Sequence, residues 1–350
     1  MSHLDAIGRA LPALAVLSAL LLVGGGESRA ALDDVLVLDN GDTLTGQIKE
    51  LARGRLRFKT PSTDSIYVDW EYVAGLTSRD RYDIELTDGS EYFGSLEGDP
   101  VARVLDIVTA DGIITVPLLE VVYITPIEDG FWKRIDGNVD WGFSFTSSTR
   151  LLQYSLTSNA TYRSENWSAA LTLDSIFTDQ RDVDTKTRDD LNLRGTRFLG
   201  KKRLLSAFGQ LQRNEDLGFD LRTLASLSVG LSTIQTNNQS MVVAVGLSAQ
   251  REDLVNSVDS VESLELVAAL TYENFRYHKP KRDISISFIA YPSLTATDRV
   301  RVELSAKLRI EVVSDLHIGL SLLESYDSNP PTEGADKNDT AVILSLGYTF

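Results

Sequence analysis

The chain has 350 residues, no cysteine, three histidines and a formal net charge of −16. Without cysteine there can be no disulfide framework, no thiolate metal site, no thiol nucleophile and no lipid-modified cysteine. Nucleic-acid binding needs clustered positive charge, so no nucleic-acid partner is expected of so acidic a chain.

After Arg9, the segment Ala10 to Val23 is almost wholly apolar and ends in glycines. It is short for a membrane span. Ser28 and Ala30 then supply small residues at signal-peptidase spacing, so residues 1–30 read as a signal peptide cleaved after Ala30. The alternative is a buried N-terminal helix. No later segment is a continuous apolar helix of spanning length, so an exported chain that meets a membrane must cross it as strands.

Residues 31–127 read as a small β domain with an internal repeat. "LVLDNGDTLTGQI" and "IELTDGSEYFGSL" open two copies, with Asn40-Gly41 and Asp88-Gly89 spaced 48 residues apart. Each pair is followed by an alternating strand ending in Gly46 or Gly94. Asn-Gly and Asp-Gly between alternating apolar residues signal β-hairpins, and each copy holds four or five short strands. The opening pattern resembles Sm-like or SH3-like small barrels. The domain carries 8 Lys and Arg against 18 Asp and Glu, which argues against the RNA binding an Sm-like look would imply. A spacer or a surface for a periplasmic protein partner is the simpler expectation.

A linker at 128–136 contains Phe131, Trp132, Lys133 and Arg134, a mixture suited to the edge of a bilayer. Beyond it the chain alternates almost without interruption. In "RVRVELSAKLRIEV", residues 299–312, one face is Val300, Val302, Leu304, Ala306, Leu308, Ile310 and Val312; the other is Arg299, Arg301, Glu303, Ser305, Lys307, Arg309 and Glu311. Twelve such segments are predicted, at 137–147, 151–163, 166–178, 189–199, 203–213, 222–233, 240–251, 263–276, 283–293, 299–313, 315–327 and 339–350. They exceed the usual strand of five or six residues and suit tilted bilayer-crossing strands of about nine to eleven. Twelve is even, as in single-chain bacterial outer-membrane barrels. The fold class is therefore all-β: a transmembrane antiparallel up-and-down barrel over 137–350, preceded by the small β domain. A soluble sandwich of long amphipathic strands is the alternative.

Connections after odd-numbered barrel strands are long and polar, such as "TDQRDVDTKTRDD"; those after even-numbered ones are short, such as "RSEN" and "VSD". Short periplasmic turns and longer outer loops show this alternation. It places the N-terminal domain in the periplasm and the barrel in the outer membrane, with membrane lipid as its surroundings.

The final strand carries Val342, Leu344, Leu346, Tyr348 and Phe350 on one face. This resembles the signal that hands bacterial outer-membrane proteins to the barrel assembly machinery, which the resemblance makes a partner. The first strand "WGFSFTSS", the third "WSAALTLD" and the ending "LSLGYTF" are similar to the YdiY-like family of salt-induced outer-membrane proteins. That resemblance implies a location and a barrel over about 130–350, and no chemistry.

No cofactor, metal or catalytic residue is expected. Outer-membrane phospholipases are twelve-stranded and use serine and histidine, which makes a lipid-modifying enzyme a third functional reading. After residue 30 this chain has only His278, in the turn "YHKPKR", and His317, inward at the start of the eleventh strand. Neither has a serine or carboxylate partner evident in the sequence. Acidic pairs read as outer-loop charge (Glu215-Asp216, Glu252-Asp253, Glu333 with Asp336) lack the fixed ligand spacing of a calcium loop. The basic turns Lys201-Lys202-Arg203 and Lys279 to Arg282 would lie near lipid headgroups or simply aid solubility. The informative candidates are inward charges of the lumen: Asp140, Asp174, Arg194, Glu265, Glu273, Arg299, Arg301, Glu303, Lys307, Arg309 and Glu311. They either line a narrow path for small solutes or ions, or pair across a closed lumen in a non-conducting, envelope-structural barrel.

Overall fold

The computed structural model describes residues 33–127, 134–146, 151–164, 166–180, 186–200, 202–214, 219–254, 260–295, 298–329 and 337–348. Residues 1–32, which include the segment predicted to be a signal peptide, most of the predicted linker and Phe350 lie outside them.

Nine strands form the N-terminal sheet: β1 (Asp34–Leu38), β2 (Thr43–Ala52), β3 (Arg55–Thr60), β4 (Asp64–Asp69), β5 (Val73–Leu86), β6 (Glu91–Asp99), β7 (Val104–Thr109), β8 (Gly112–Pro117) and β9 (Val121–Pro126). Their order is β4-β3-β2-β1-β5-β6-β7-β8, with β9 pairing both β2 and β5. The repeat is visible atom by atom. Gly41 and Gly89 turn the two opening hairpins at φ +89° and +83°, where a side chain would be strained. The Asn40 carboxamide accepts from the Asp42 amide at 2.9 Å, and the Asp88 carboxylate accepts from the Ser90 amide at 2.8 Å. The second glycine of each copy sits where strands cross closely. A Cβ on Gly46 would come 2.2 Å from the Lys59 carbonyl oxygen, and one on Gly94 would come 2.4 Å from that of Val108. Single 3₁₀ turns, Trp70–Tyr72 and Leu118–Glu120, recur at the same spacing, and Trp70 Nε1 donates to the Leu118 carbonyl at 2.8 Å.

The copies share β5. Its first half pairs with β1, and beyond a register shift between Ser78 and Tyr82 its second half pairs with β6 and β9. Leu36, Ile48, Phe58, Trp70, Ile84 and Ile107 lie in the single core this creates. Asp34 is buried in that core. It accepts from the Ile48 amide at 2.7 Å, from the Tyr82 hydroxyl at 3.1 Å and from the Ser78 hydroxyl.

Burial pushes the Asp34 carboxyl up from its ordinary value, against the lowering effect of Ser78, the Ile48 amide and Tyr82. Its protonated form is therefore favoured by folding. That stabilisation is complete below the unfolded-state pKa of about 3.9 and is lost as pH rises through the raised folded-state value. A fragment of residues 32–127 is expected to fold alone as a β protein, since it owns a complete core. Asp34→Ala should cost it about 2–3 kcal/mol by leaving three donors without an acceptor. As pH falls, wild type should gain stability relative to Asp34→Asn in urea melts. A fragment without a cooperative transition, or a gap unchanged with pH, would contradict this account.

The remaining described strands form a second sheet: β10 (Ile135–Thr146), β11 (Leu151–Arg163), β12 (Trp167–Gln180), β13 (Lys186–Phe198), β14 (Arg203–Asn214), β15 (Phe219–Gln235), β16 (Gln239–Leu254), β17 (Ser260–Arg276), β18 (Arg282–Pro292), β19 (Val300–Val313), β20 (Leu316–Asp327) and β21 (Asn338–Tyr348). All twelve predicted segments are strands. Each pairs antiparallel with its sequence neighbours, in the up-and-down order expected. No helix among the described residues is long and apolar enough to cross a membrane. The ladder runs as an open path: among the described pairings β10 meets β11 alone and β21 meets β20 alone.

The two faces invert the rule of soluble proteins. Ser248, Gln250, Glu252 and Glu265 are at most 5% exposed, while Leu227, Val229, Val245 and Leu247 are at least 50% exposed. Alternation along the strands between β10 and β21 sends polar residues to the enclosed face and apolar ones outward, whereas β21 and nearly all of β10 are exposed on both faces. The nine-stranded and twelve-stranded sheets belong to one compact unit.

Candidate functional site in the barrel interior

The enclosed face of β13 to β19 carries one hydrogen-bonded belt toward the long-loop end. Asp190 accepts from Asn192 Nδ2 at 2.8 Å and from the side-chain amides of Gln210 and Gln212, each at 3.2 Å. Arg222 donates to Gln212 Oε1 at 3.2 Å and to Glu252 Oε1 at 2.7 Å. Gln250 Nε2 donates to the same Glu252 oxygen at 2.7 Å, and its own Oε1 accepts from Arg301 at 3.2 Å. Arg301 ends the belt as a fork on Glu265, with contacts of 2.6 and 3.1 Å, and its guanidinium lies 4.7 Å from the centre of the Tyr291 ring. The reach from β19 to Gln250 on β16 passes over two intervening strands, a measure of how sharply the sheet curls.

The predicted interior residues divide into groups. Arg301 and Glu265 are paired, with Glu265 fully buried and the Arg301 side chain 15% exposed. Arg299 stands just before β19 and forks onto Asp327, at 2.7 Å for its closest contact. Glu311 is buried, and it accepts from the Lys281 and Asp315 amides at 3.1 and 3.0 Å, tying two short turns together. Glu303, Lys307 and Arg309 are exposed on the inner face of β19. Glu303 borders a cavity of about 320 Å³ with Ser287, Ser305, Ser325 and Asp339. Asp140 accepts from Asn138 at 2.6 Å on β10. Asp174 stands opposite Asp190 in the β12–β13 register, and Arg194 of β13 lies 5.1 Å from the centre of the Phe208 ring. Of the residues expected to form an assembly signal, Val342, Leu344, Leu346 and Tyr348 are all exposed on β21.

Two expectations are corrected. Glu252 and Asp253 are not loop charges, because β16 extends to Leu254; Glu252 is turned inward onto Arg222, whereas Asp253 pairs with Arg251 at 3.1 Å. Glu215, Asp216, Glu333 and Asp336 lie outside the described residues. His278 does have a carboxylate partner. Its Nδ1 faces Glu71 of the N-terminal domain, and Arg276 Nε donates to its Nε2. The basic turn after β17 is likewise engaged with protein, Lys279 Nζ donating to Ser314 Oγ at 2.8 Å. His317 is buried, with no partner for Nδ1 among the described residues. Gln210, Gln212, Arg222 and Gln250 were not singled out from the sequence. The available signal was polar residues at i and i+2 on successive strands.

At the short-turn end the N-terminal domain meets the twelve-stranded sheet. Arg53, in the turn between β2 and β3, lies 3.2 Å from Asp283 and 3.7 Å from Glu273, with its guanidinium 4.8 Å from the centre of the Phe275 ring. Arg55 covers Tyr277 at 4.2 Å. Asn237, in the β15–β16 turn, donates to the carbonyls of Leu119 and Val121 at 3.0 and 2.9 Å. Burial pushes the Glu85 carboxyl up, opposed by Gln235 and by the charges of Arg163, at the end of β11, and Lys202, in the β13–β14 turn. Each half-exposed ion pair is worth about 0–1 kcal/mol and a cation–π contact about 1 kcal/mol. No single contact holds this seat; the set does.

Polar inside, apolar outside and strands of eleven to seventeen residues are consistent with the transmembrane β-barrel class. The chain belongs to the family described as "Protein of unknown function, DUF481", which matches residues 140–350. No curated protein and no solved structure matches it.

Proposed function

We propose that this is a bacterial outer-membrane β-barrel that passes small solutes or ions along a narrow path, with its N-terminal domain in the periplasm. The observation that carries the reading is the exposed trio Glu303, Lys307 and Arg309 on the inner face of β19, beside the cavity at Ser305. Charges that only filled a closed lumen would be paired and withdrawn from solvent, as the Arg301–Glu265 pair is, at 15% and 0% side-chain exposure. The likeness of the first, third and last strands to the YdiY-like outer-membrane proteins supports the location. In this reading β10 and β21 close the ladder, since an even strand number brings them side by side antiparallel.

A second reading, a non-conducting envelope barrel, is favoured by the belt from Asp190 to Glu265, which joins side chains of β13 to β17 and β19. Conductance decides between them. In a planar bilayer the refolded chain should show discrete small openings. Lys307→Glu with Arg309→Glu turns one negative and two positive charges into three negative ones, so the reversal potential in a salt gradient should move toward cation selectivity. A folded barrel that stays silent removes the path and leaves the structural reading.

A further inference from the structure

The β2–β3 turn is unusual. Arg53 and Gly54 both have positive φ, +50° and +65°, the two-residue hairpin geometry that normally selects asparagine, aspartate or glycine. A bulky arginine in the left-handed region is strained and calls for a reason. The second repeat has a left-handed arginine in its matching turn, Arg103 at φ +55°, and there the reason lies inside the domain: its guanidinium donates to the Glu71 and Val73 carbonyls at 2.6 and 3.1 Å. The described ion pairs and ring contact of Arg53 all go instead to the barrel, to Glu273, Asp283 and Phe275. By strand parity these are inner-face positions, continuous with Glu265 on the same face of β17. Beside Arg53 the approach is so close that a Cβ on Gly54 would come 2.0 Å from the Asn237 carbonyl oxygen. The tip of one hairpin thus enters the mouth of the twelve-stranded sheet, and its cation occupies the place between two inner-face carboxylates.

We propose that the N-terminal domain is a built-in cap, latched by Arg53 into the short-turn mouth, and that undocking of this cap controls passage through the barrel. The inference rests on the solute-path reading for its functional half, whereas the seating of the cap can be tested without it. A guanidinium between Glu273 and Asp283, on the adjacent strands β17 and β18, neutralises two carboxylates a passing cation would meet, and the domain that carries it covers that part of the mouth. Withdrawing it leaves an acidic, aromatic-floored entrance.

The test uses the full chain, refolded into bilayers and checked for folding by its gel shift on heating. Since the sequence has no cysteine, introduced pairs report without background. Glu71→Cys with His278→Cys should be bridged rapidly by a short bismaleimide, and Ser62→Cys with His278→Cys should not, because Ser62 lies beyond the end of β3 remote from Arg55 and Tyr277. Equal yields from the two pairs would overturn the seating. For control of passage, Arg53→Glu sets a third carboxylate against Glu273 and Asp283, and Asn237→Asp turns a carboxylate on the carbonyls of Leu119 and Val121. Each should raise conductance several-fold, Arg53→Lys should stay near wild type, and bridging the Glu71–His278 cysteine pair in the Arg53→Glu chain should abolish the gain. A conducting wild type that both variants leave unchanged overturns the cap while the solute path stands. Silence of wild type and both variants overturns the solute path, and the controlling role with it.

Discussion

Arg301→Glu is expected to be the most damaging single substitution in the barrel interior. Glu265 is 0% exposed, and its carboxylate is held by both arms of the Arg301 guanidinium. A buried pair of this kind gains little net stability, because desolvation offsets most of the attraction. Breaking it is costly, since the surviving charge stays buried without compensation: about 3–5 kcal/mol. A glutamate at 301 also sets like charges together and releases Gln250, so the effect should lie at or above the upper end of that range. In urea titrations of the barrel refolded into vesicles, the unfolding midpoint should fall sharply. Arg301→Lys should fall less, keeping the charge without the fork. Combining Arg301→Glu with Glu265→Arg should recover part of the loss, which a merely steric defect would not allow. Arg309→Glu, at an exposed position on the same strand, should leave the midpoint nearly unchanged while altering ion selectivity. Equal midpoints for the variants at 301 and 309 would show that the belt does not distinguish them.

The second large effect is expected at the end of the chain, and magnitudes separate two causes. A charge on the lipid face costs about 2–4 kcal/mol at the bilayer midplane for a cation, and about 0–1 kcal/mol near the interface. Leu344 is central in the exposed apolar row of β21, so Leu344→Arg should lower stability in vesicles and assembly in cells alike. Phe350 lies outside the described residues, six positions beyond Leu344 in the sequence, and a residue that far from the midpoint of a crossing of about nine to eleven residues is expected at the interface. Phe350→Asp should therefore refold in vesicles with a nearly normal midpoint. If the last strand is read by the assembly machinery, the same variant should lose about tenfold or more of its heat-modifiable outer-membrane band in cells. Normal cellular levels would remove the assembly-signal reading, and a matching loss in vesicles would make the effect one of stability.

The sequence by itself determined the strands of both sheets, because strand formation with one apolar face is a local pattern of period two that needs no knowledge of neighbours. Leu151–Arg163 was placed to the residue, and β15, β16 and β17 were underestimated by several residues. Those strands run on into charged segments such as Glu252 and Asp253, which in isolation look like loop. The repeat was legible for the same reason: Gly41 and Gly89 have locally set backbone requirements. Only the tertiary structure decided which charges meet. Whether Arg301 faces Glu265, Glu303 or water depends on register and curl accumulated over several strands, and Gln250 and Arg301 are 51 positions apart. The role of Arg53 was further out of reach, since its partner Asp283 lies 230 residues along the chain and in another sheet. Alternation assigns a side chain to a face; only the packing of distant strands gives it a partner.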